Sequence, residues 1–344
     1  MQQKKSKILF LGADSADYLN ILTLNGLKEF PNLDLYTYPE PNLLYKKKRN
    51  LYQESLRGKG FSIFFLNEEI NNITPHYLFD LIESNSFELI IVGDIFYFYP
   101  LYLWLDKFNS NKNLNIIILD GSDNENLFPY SGFFFRKLSH FFLPRVLKRH
   151  LYFKRELTKE SQRSRFYKLL PSFVTDIIPE HKNLREISFS FPGSKIINPD
   201  TLKKTKLFVN HIVDEEIKSR IKEASSGYLF NAEEDYFSDI QNSKYGITTK
   251  RSGWDCLRHY EIAANGAVIC FKDLDLKPPR CAPHDLVPGQ NCLSYTCYED
   301  LKAQIESIDE EEYKKILNSS YKWILSKASK RVTKKMLFES GIEL

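Results

Sequence analysis

The densest gathering of polar side chains able to do chemistry is the stretch KRSGWDCLRHYEIAANGAVICF, residues 250–271. It supplies cations (Lys250, Arg251, Arg258), carboxylates (Asp255, Glu261) and an imidazole (His259), and then runs into an apolar strand. A helix from about Trp254 to Asn265 places Arg258, Glu261 and Ile262 at i, i+3 and i+4 on one face, with Gly266 as its C-terminal stop. The first turn of that helix presents backbone N–H groups to an anion, and Lys250 and Arg251 add positive charge there. Such a corner suits a diphosphate. The planar fork of Arg258 matches phosphate oxygens, and Glu261, an acceptor only, matches paired ribose hydroxyls. The competing reading is a solvated Arg258–Glu261 pair, which contributes only ~0–1 kcal/mol. The setting favours a ligand, because the small-residue face must pack on a sheet and leave the charges at the strand ends.

Positioning that helix requires sheets. Apolar runs recur at KILFLG (7–12), LDLYTY (33–38), FSIFFL (61–66), FELIIVG (87–93) and NIIILDG (115–121). Runs this continuous predict parallel strands covered on both faces. The carboxyl ends of those strands carry Asp14, Asp120 and Asp123, candidates for general acid–base work, although each aspartate has a competing reading as a helix cap. GADSAD (12–17) is not GxGxxG, which disfavours a dinucleotide. A second series follows: KLFVNHIV (206–213), a helix through 214–224, GYLFNA (227–232), a helix at 233–242, KYGITT (244–249), the 250–271 stretch and NCLSYT (291–296). The sequence therefore predicts an α/β protein of two Rossmann-like, doubly wound domains, closed by amphipathic helices over its last forty positions. The expected division is 1–165, a connection at 166–203, 204–310, and C-terminal helices at 311–344.

Composition narrows the function. The 48 basic residues are balanced by 44 acidic ones, too even for a dedicated nucleic-acid binder. Five cysteines form no disulfide framework and fit a reducing, cytoplasmic setting. Neither a signal-peptide pattern nor an apolar stretch of membrane-spanning length is visible. Residues 133–157 mix aromatics with Arg and Lys, a composition also found in helices lying on anionic membranes; a packed helix with a basic outer face is the plainer reading. Cys281-x2-His284 with Cys292-x4-Cys297 has zinc-tolerant spacing, but Pro283 and Pro288 interrupt it, and no metal is expected. His211 and Asn291 are further candidates to reach the ligand, read otherwise as a core histidine and an ordinary turn residue.

The segments YFSDIQNSKYGITTKRSGWDCLRHYEIAANGAVICF (236–271) and LVPGQNCLSYTCYEDL (286–301) resemble the carboxyl-terminal domain of GT-B glycosyltransferases. The branch they resemble is the group-1 branch that includes the spore-maturation (CgeB-type) and exostosin-like proteins. Gly253-Trp254, Arg258, Tyr260-Glu261 and Gly266 carry the likeness, and HLYFKREL (150–157) is similar to another family element. The resemblance implies transfer of a sugar from a nucleotide-diphosphate sugar to an acceptor hydroxyl, without metal or other cofactor. Glu261 would hold the donor's ribose, and Lys250, Arg251 and Arg258 its diphosphate. Gly253, Trp254, His259, His211 and Asn291 would lie around the donor. The family's E-x7-E pattern would put an acid at 253, where this chain has Gly253. Expected partners are a UDP- or GDP-type donor and a glycan, lipid-linked or protein acceptor, with a peripheral contact at the inner face of the membrane through 133–157. Two alternatives stay open: a non-transferring GT-B relative such as a nucleotide-sugar epimerase, and a basic-surface module for membrane or nucleic acid.

Overall fold

The computed structural model describes residues 5–12, 15–68, 71–112, 114–128, 149–162, 171, 181–227 and 229–343. The first half builds a seven-stranded parallel sheet from β1 (Ser6–Leu11), β2 (Leu33–Tyr38), β3 (Asn71–Asn72), β4 (Leu89–Val92), β5 (Ile116–Asp120), β6 (Leu151–Lys154) and β7 (Leu184–Glu186), in the order β3-β2-β1-β4-β5-β6-β7. Strand order reverses between β1 and β4, the place where open α/β sheets form crevices. Period-two alternation explains the burial on both faces. Ile8, Phe10, Leu89, Ile91, Ile117 and Leu119 enter one core, while Leu9, Leu11, Ile90, Val92, Ile116 and Ile118 enter the other. Among the described residues, the helices of this half are α1 (Tyr18–Lys28), the short α2 (Arg49–Tyr52), α3 (Pro75–Glu83) and α4 (Tyr99–Lys112).

The second half forms a four-stranded parallel sheet, β11-β10-β9-β8, from β8 (Lys206–Phe208), β9 (Ser243–Thr248), β10 (Val268–Lys272) and β11 (Cys292–Tyr295). Its helices are α5 (Glu215–Arg220), α6 (Glu233–Gln241), α7 (Leu257–Ala264) and α8 (Tyr298–Ser307). Two more, α9 (Glu310–Ser326) and α10 (Ser329–Glu339), close the chain. One hydrophobic cluster runs from Ile8 and Phe10 through Ile247, Tyr260 and Val268 to Leu337, so the two domains share a core.

α9 packs on α7 and β10, whereas α10 returns to the first domain and lies against α1. Gly26 makes that return possible: a Cβ there would sit 2.5 Å from the Ser329 carbonyl oxygen and overlap the Thr333 hydroxyl. The crossing is fixed by Phe191 N donating to Lys327 O (2.9 Å) and Ser329 N donating to Phe191 O (2.8 Å). This is the GT-B arrangement of two Rossmann-like domains facing a cleft, with C-terminal helices packing back across them.

Three expectations change. FSIFFL (61–66) is not a strand, although Ile63, Phe64 and Phe65 are buried as a strand's residues would be. Ser62 (φ 76°) and Phe65 (φ 56°) are left-handed and turn the chain repeatedly; β3 takes the sheet edge instead. An apolar run reports burial without fixing extended geometry. GYLFNA (227–232) forms no strand among its described residues. The interval 166–203, expected as a connection, contributes β7 to the first sheet. Of the aromatic-basic segment 133–157, residues 133–148 lie outside the described residues. Its Lys154 and Arg155 are buried in ion pairs and not displayed on a surface. Among the described residues, no helix is long and apolar enough to cross a membrane.

Candidate functional site

α7 starts after β9 without a side-chain cap, so the N–H groups of its first turn have no capping side chain. Its leading residues Leu257 and Arg258, with Glu261 one turn on, face a cleft between the domains. His211, Leu229, Phe230 and Tyr236 continue the second domain's wall; Tyr18, Phe64 and, from the loop 57–60, Arg57, Gly58 and Gly60 form the opposite one. The cleft encloses about 680 Å3, its open mouth included.

Glu261 is buried at this junction. Its Oε1 accepts from the Ser62 hydroxyl of the first domain (2.5 Å) and its Oε2 from the Tyr236 hydroxyl (2.6 Å). Burial, with the carboxylate beside it, pushes the Tyr236 hydroxyl well above its usual pKa, so it stays a donor. A carboxylate has about four lone-pair directions. The two left over match the two hydroxyls of a ribose. Arg258 donates to His211 O (3.3 Å) and lies 5.8 Å from the Tyr236 ring centre. Arg258 and Glu261 do not pair with each other, which removes the solvated-pair reading.

His211 lines the same cleft. Its Nδ1 lies 2.8 Å from Gly227 O, and a carbonyl only accepts, so Nδ1 carries the proton and Nε2 the lone pair. Burial, then the Arg258 cation, depresses its pKa to about 4 and keeps the ring neutral. A neutral ring suits a sugar hydroxyl better than a phosphate.

The loop Arg57-Gly58-Lys59-Gly60 is what sequence reasoning missed. Gly58 (φ 56°), Lys59 (φ 53°) and Gly60 (φ 63°) are consecutively left-handed, a path two glycines make affordable. Lys59 reaches Asn231 (3.2 Å), and Ser62 N donates to Glu233 (2.5 Å), so the loop is tied across the junction. Arg57 has no ion-pair partner among the described residues. The R-G-K-G pattern, two glycines interleaved with cations, was the available signal.

Several expected members lie elsewhere. Lys250 sits over the Trp254 ring (4.9 Å), and Arg251 is exposed; neither lines the cleft. His259 is a core residue: Nε2 donates to Trp254 O (2.9 Å), Nδ1 accepts from Thr248 (3.0 Å), and the ring stacks on Phe271. Burial lowers its pKa to about 4, so it stays neutral. Asn291 pins a turn, accepting from Val287 N and donating to Asp285 O, both at 2.8 Å. Trp254 gives its backbone N–H to Glu156 (3.0 Å). Cys281 rests against Glu156 and His284 against Arg280 O, so the cysteine–histidine spacing serves packing.

Gly253 is required by its neighbour. A Cβ there would overlap Glu156 Oε1 and lie 2.8 Å from Cδ. Glu156 cannot retreat, since it receives Trp254 N, Asp255 N and Arg155. No acid fits at 253. Gly253→Ala is expected to cost roughly 1–3 kcal/mol by overpacking, read as a lowered urea midpoint; an unchanged midpoint would refute the packing argument.

The expected bases fare poorly. Asp120 is buried; burial opposes its charge, but the Lys154 ammonium (3.1 Å) and bonds from Ser122 and Tyr152 prevail and hold its pKa below the usual range. A carboxylate so acidic and so occupied is no general base. Asp123 is paired with the Arg155 guanidinium. Asp14 lies outside the described residues. A different carboxylate stands at the reversal point between β1 and β4: Asp17, the cap of α1, accepts Asn20 N (2.9 Å) and neighbours the cleft residue Tyr18. Burial, with Asp94 nearby, raises its pKa to about 6.

No family model and no curated protein matches this chain. Among solved structures, it is similar to the N-terminal domain of Candida albicans trehalose-6-phosphate phosphatase (10% identity, TM-score 0.50, covering 99% of this chain and 97% of that one). It is also similar to Anabaena HepE in complex with UDP and glucose (10% identity, TM-score 0.48, covering 98% and 99%). A third is the sucrose-phosphate synthase of Thermosynechococcus elongatus (10% identity, TM-score 0.49, covering 97% and 98%). At 10% identity the first of these likenesses is one of fold alone.

Proposed function

We propose that the chain is a glycosyltransferase that takes a nucleotide-diphosphate sugar as donor and an acceptor hydroxyl as nucleophile, of the branch its second half resembles. One observation supports this above others: Arg258, Glu261 and the first turn of α7 face one interdomain cleft, with cation, ribose acceptor and helix dipole together. Glu261 holds the ribose. Arg258, the N–H groups of α7 and, from the opposite wall, Arg57 stabilise the diphosphate as charge builds on it during bond cleavage. Fixed cations supply that stabilisation, so activity is expected to survive EDTA. The neutral His211 ring, which lines the same cleft, lies beside the transferred sugar.

Asp17 takes the role expected of Asp120 or Asp123. A base with a pKa near working pH is efficient, and burial gives Asp17 that property. Because it must be ionised to accept the proton, the rate should fall as pH drops below about 6. Asp17→Asn keeps the helix cap and should lower kcat by about 10²–10⁴ while leaving nucleotide affinity unchanged. Equal kcat in both proteins would remove the assignment.

The reading as a whole is tested by incubating the protein with a panel of UDP-, GDP- and TDP-sugars, with and without EDTA, and following donor breakdown by mass spectrometry. Release of nucleoside diphosphate supports transfer. Isomerised sugar nucleotide without release would instead support the epimerase alternative, and an untouched panel would refute both.

A further inference from the structure

The Glu261 carboxylate meets the cleft already held from two sides. Tyr236 on α6 donates to Oε2 (2.6 Å), and Ser62, from the first domain, donates to Oε1 (2.5 Å). Donors on opposite oxygens fix the plane of a carboxylate and aim its remaining lone pairs. Both domains therefore set the direction in which Glu261 can accept. Ser62 is an unexpected residue for its position, because its φ of 76° lies in the left-handed region that glycine enters freely and an L-residue only at a cost. The same loop uses glycine for that conformation at 58 and 60. A glycine at 62 would ease the backbone and lack only the hydroxyl, so strain kept at this one side chain directs attention to the bond that it makes. Other contacts hold Ser62 in place. Its N–H donates to Glu233 Oε1 (2.5 Å), an oxygen that also receives Lys195 (2.5 Å), and the neighbouring Phe61 ring stacks on Tyr236, centroids 6.3 Å apart.

We infer that Ser62 is a positioning residue for the donor's ribose: from the first domain it holds the Glu261 carboxylate, across the interdomain junction, in the orientation that accepts the ribose hydroxyls. This rests on the transferase reading of the cleft. Ser62 is fully buried and does not line the cleft, so its effect on a ligand passes through Glu261 and not through a contact of its own. The ribose grip is then complete only while the domains are together. Parting them by more than the reach of a hydrogen bond removes the Ser62 donor and leaves Glu261 free to turn. Pentose affinity and domain closure are thereby linked, each favouring the other.

The test uses the whole protein and isothermal titration of UDP and GDP beside their 2′,3′-dideoxy counterparts, in wild type, Ser62→Gly and Ser62→Ala. Wild type should bind at least one natural nucleotide, and bind it more tightly than its dideoxy form. In both variants that preference should shrink by about tenfold, the scale of one charge-assisted hydrogen bond, because the nucleotide without hydroxyls has no such bond to lose. A purely structural role would weaken both forms together and leave their ratio unchanged. A ratio in the variants equal to that of wild type would overturn the inference and leave the transferase reading standing. Loss of fold in both variants, seen by circular dichroism, would overturn it too, since the serine would then serve the backbone. Wild type that binds no nucleotide, or binds the two forms alike, would overturn the ribose assignment of Glu261 and this inference with it.

Discussion

Arg155→Met is expected to destabilise the protein by about 3–5 kcal/mol, the usual cost of removing one partner from a buried ionic network. Arg155 is buried where the domains meet. It donates to Gly121 O (3.0 Å), to Glu156 (3.0 Å) and to Asp255 O (2.5 Å), pairs with Asp123, and lies 4.4 Å over the Phe189 ring. Those partners span the end of β5, the residue after Arg155 itself and the approach to α7. Without the cation, the buried carboxylates of Glu156 and Asp255 face each other uncompensated. Asp255 already has its pKa raised to about 6 by burial, against the Arg155 charge that lowers it. Urea unfolding should show the loss directly. A change under 1 kcal/mol would mean the network contributes little to holding the domains together.

Arg258→Ala should weaken binding of a nucleoside diphosphate by roughly 2 kcal/mol, about 30-fold, the scale of a lost charge-assisted bond. The parent nucleoside, which has no phosphate, should bind both proteins alike. That contrast separates loss of phosphate recognition from collapse of the cleft. Arg258 also supports His211 through its carbonyl, so a parallel drop in nucleoside affinity would assign the arginine to wall structure instead of phosphate recognition.

Much of this site was legible because a helix imposes a period. Arg258 and Glu261 are three apart, so once α7 exists they must share a face. His259, one position from Arg258, points to the opposite side and packs on Phe271. The same reasoning fails for Lys250 and Arg251. They lie in the irregular stretch between β9 and α7, where spacing sets no direction. Strands buried on both faces announced themselves as continuous apolar runs, yet 61–66 gave the same signal and folded as turns, because left-handed residues at 62 and 65 cannot be read from hydrophobicity. Asp120 and Asp123 stood at the predicted sheet edge, but what disqualified them was Lys154 and Arg155, partners more than thirty positions away in the chain. Contacts of that range carry no local pattern. Glu156, which fills the space beside Gly253, was more remote still.

The central claim is that Glu261, set between Ser62 and Tyr236, holds the pentose of a nucleotide diphosphate in the interdomain cleft. Isothermal titration of UDP, GDP and TDP against wild type and Glu261→Ala tests it most directly. At least one nucleotide should bind wild type, and that nucleotide should bind the variant at least tenfold more weakly while the variant keeps its fold by circular dichroism. Equal affinity in the two proteins, or no binding by a folded wild type, would contradict the account.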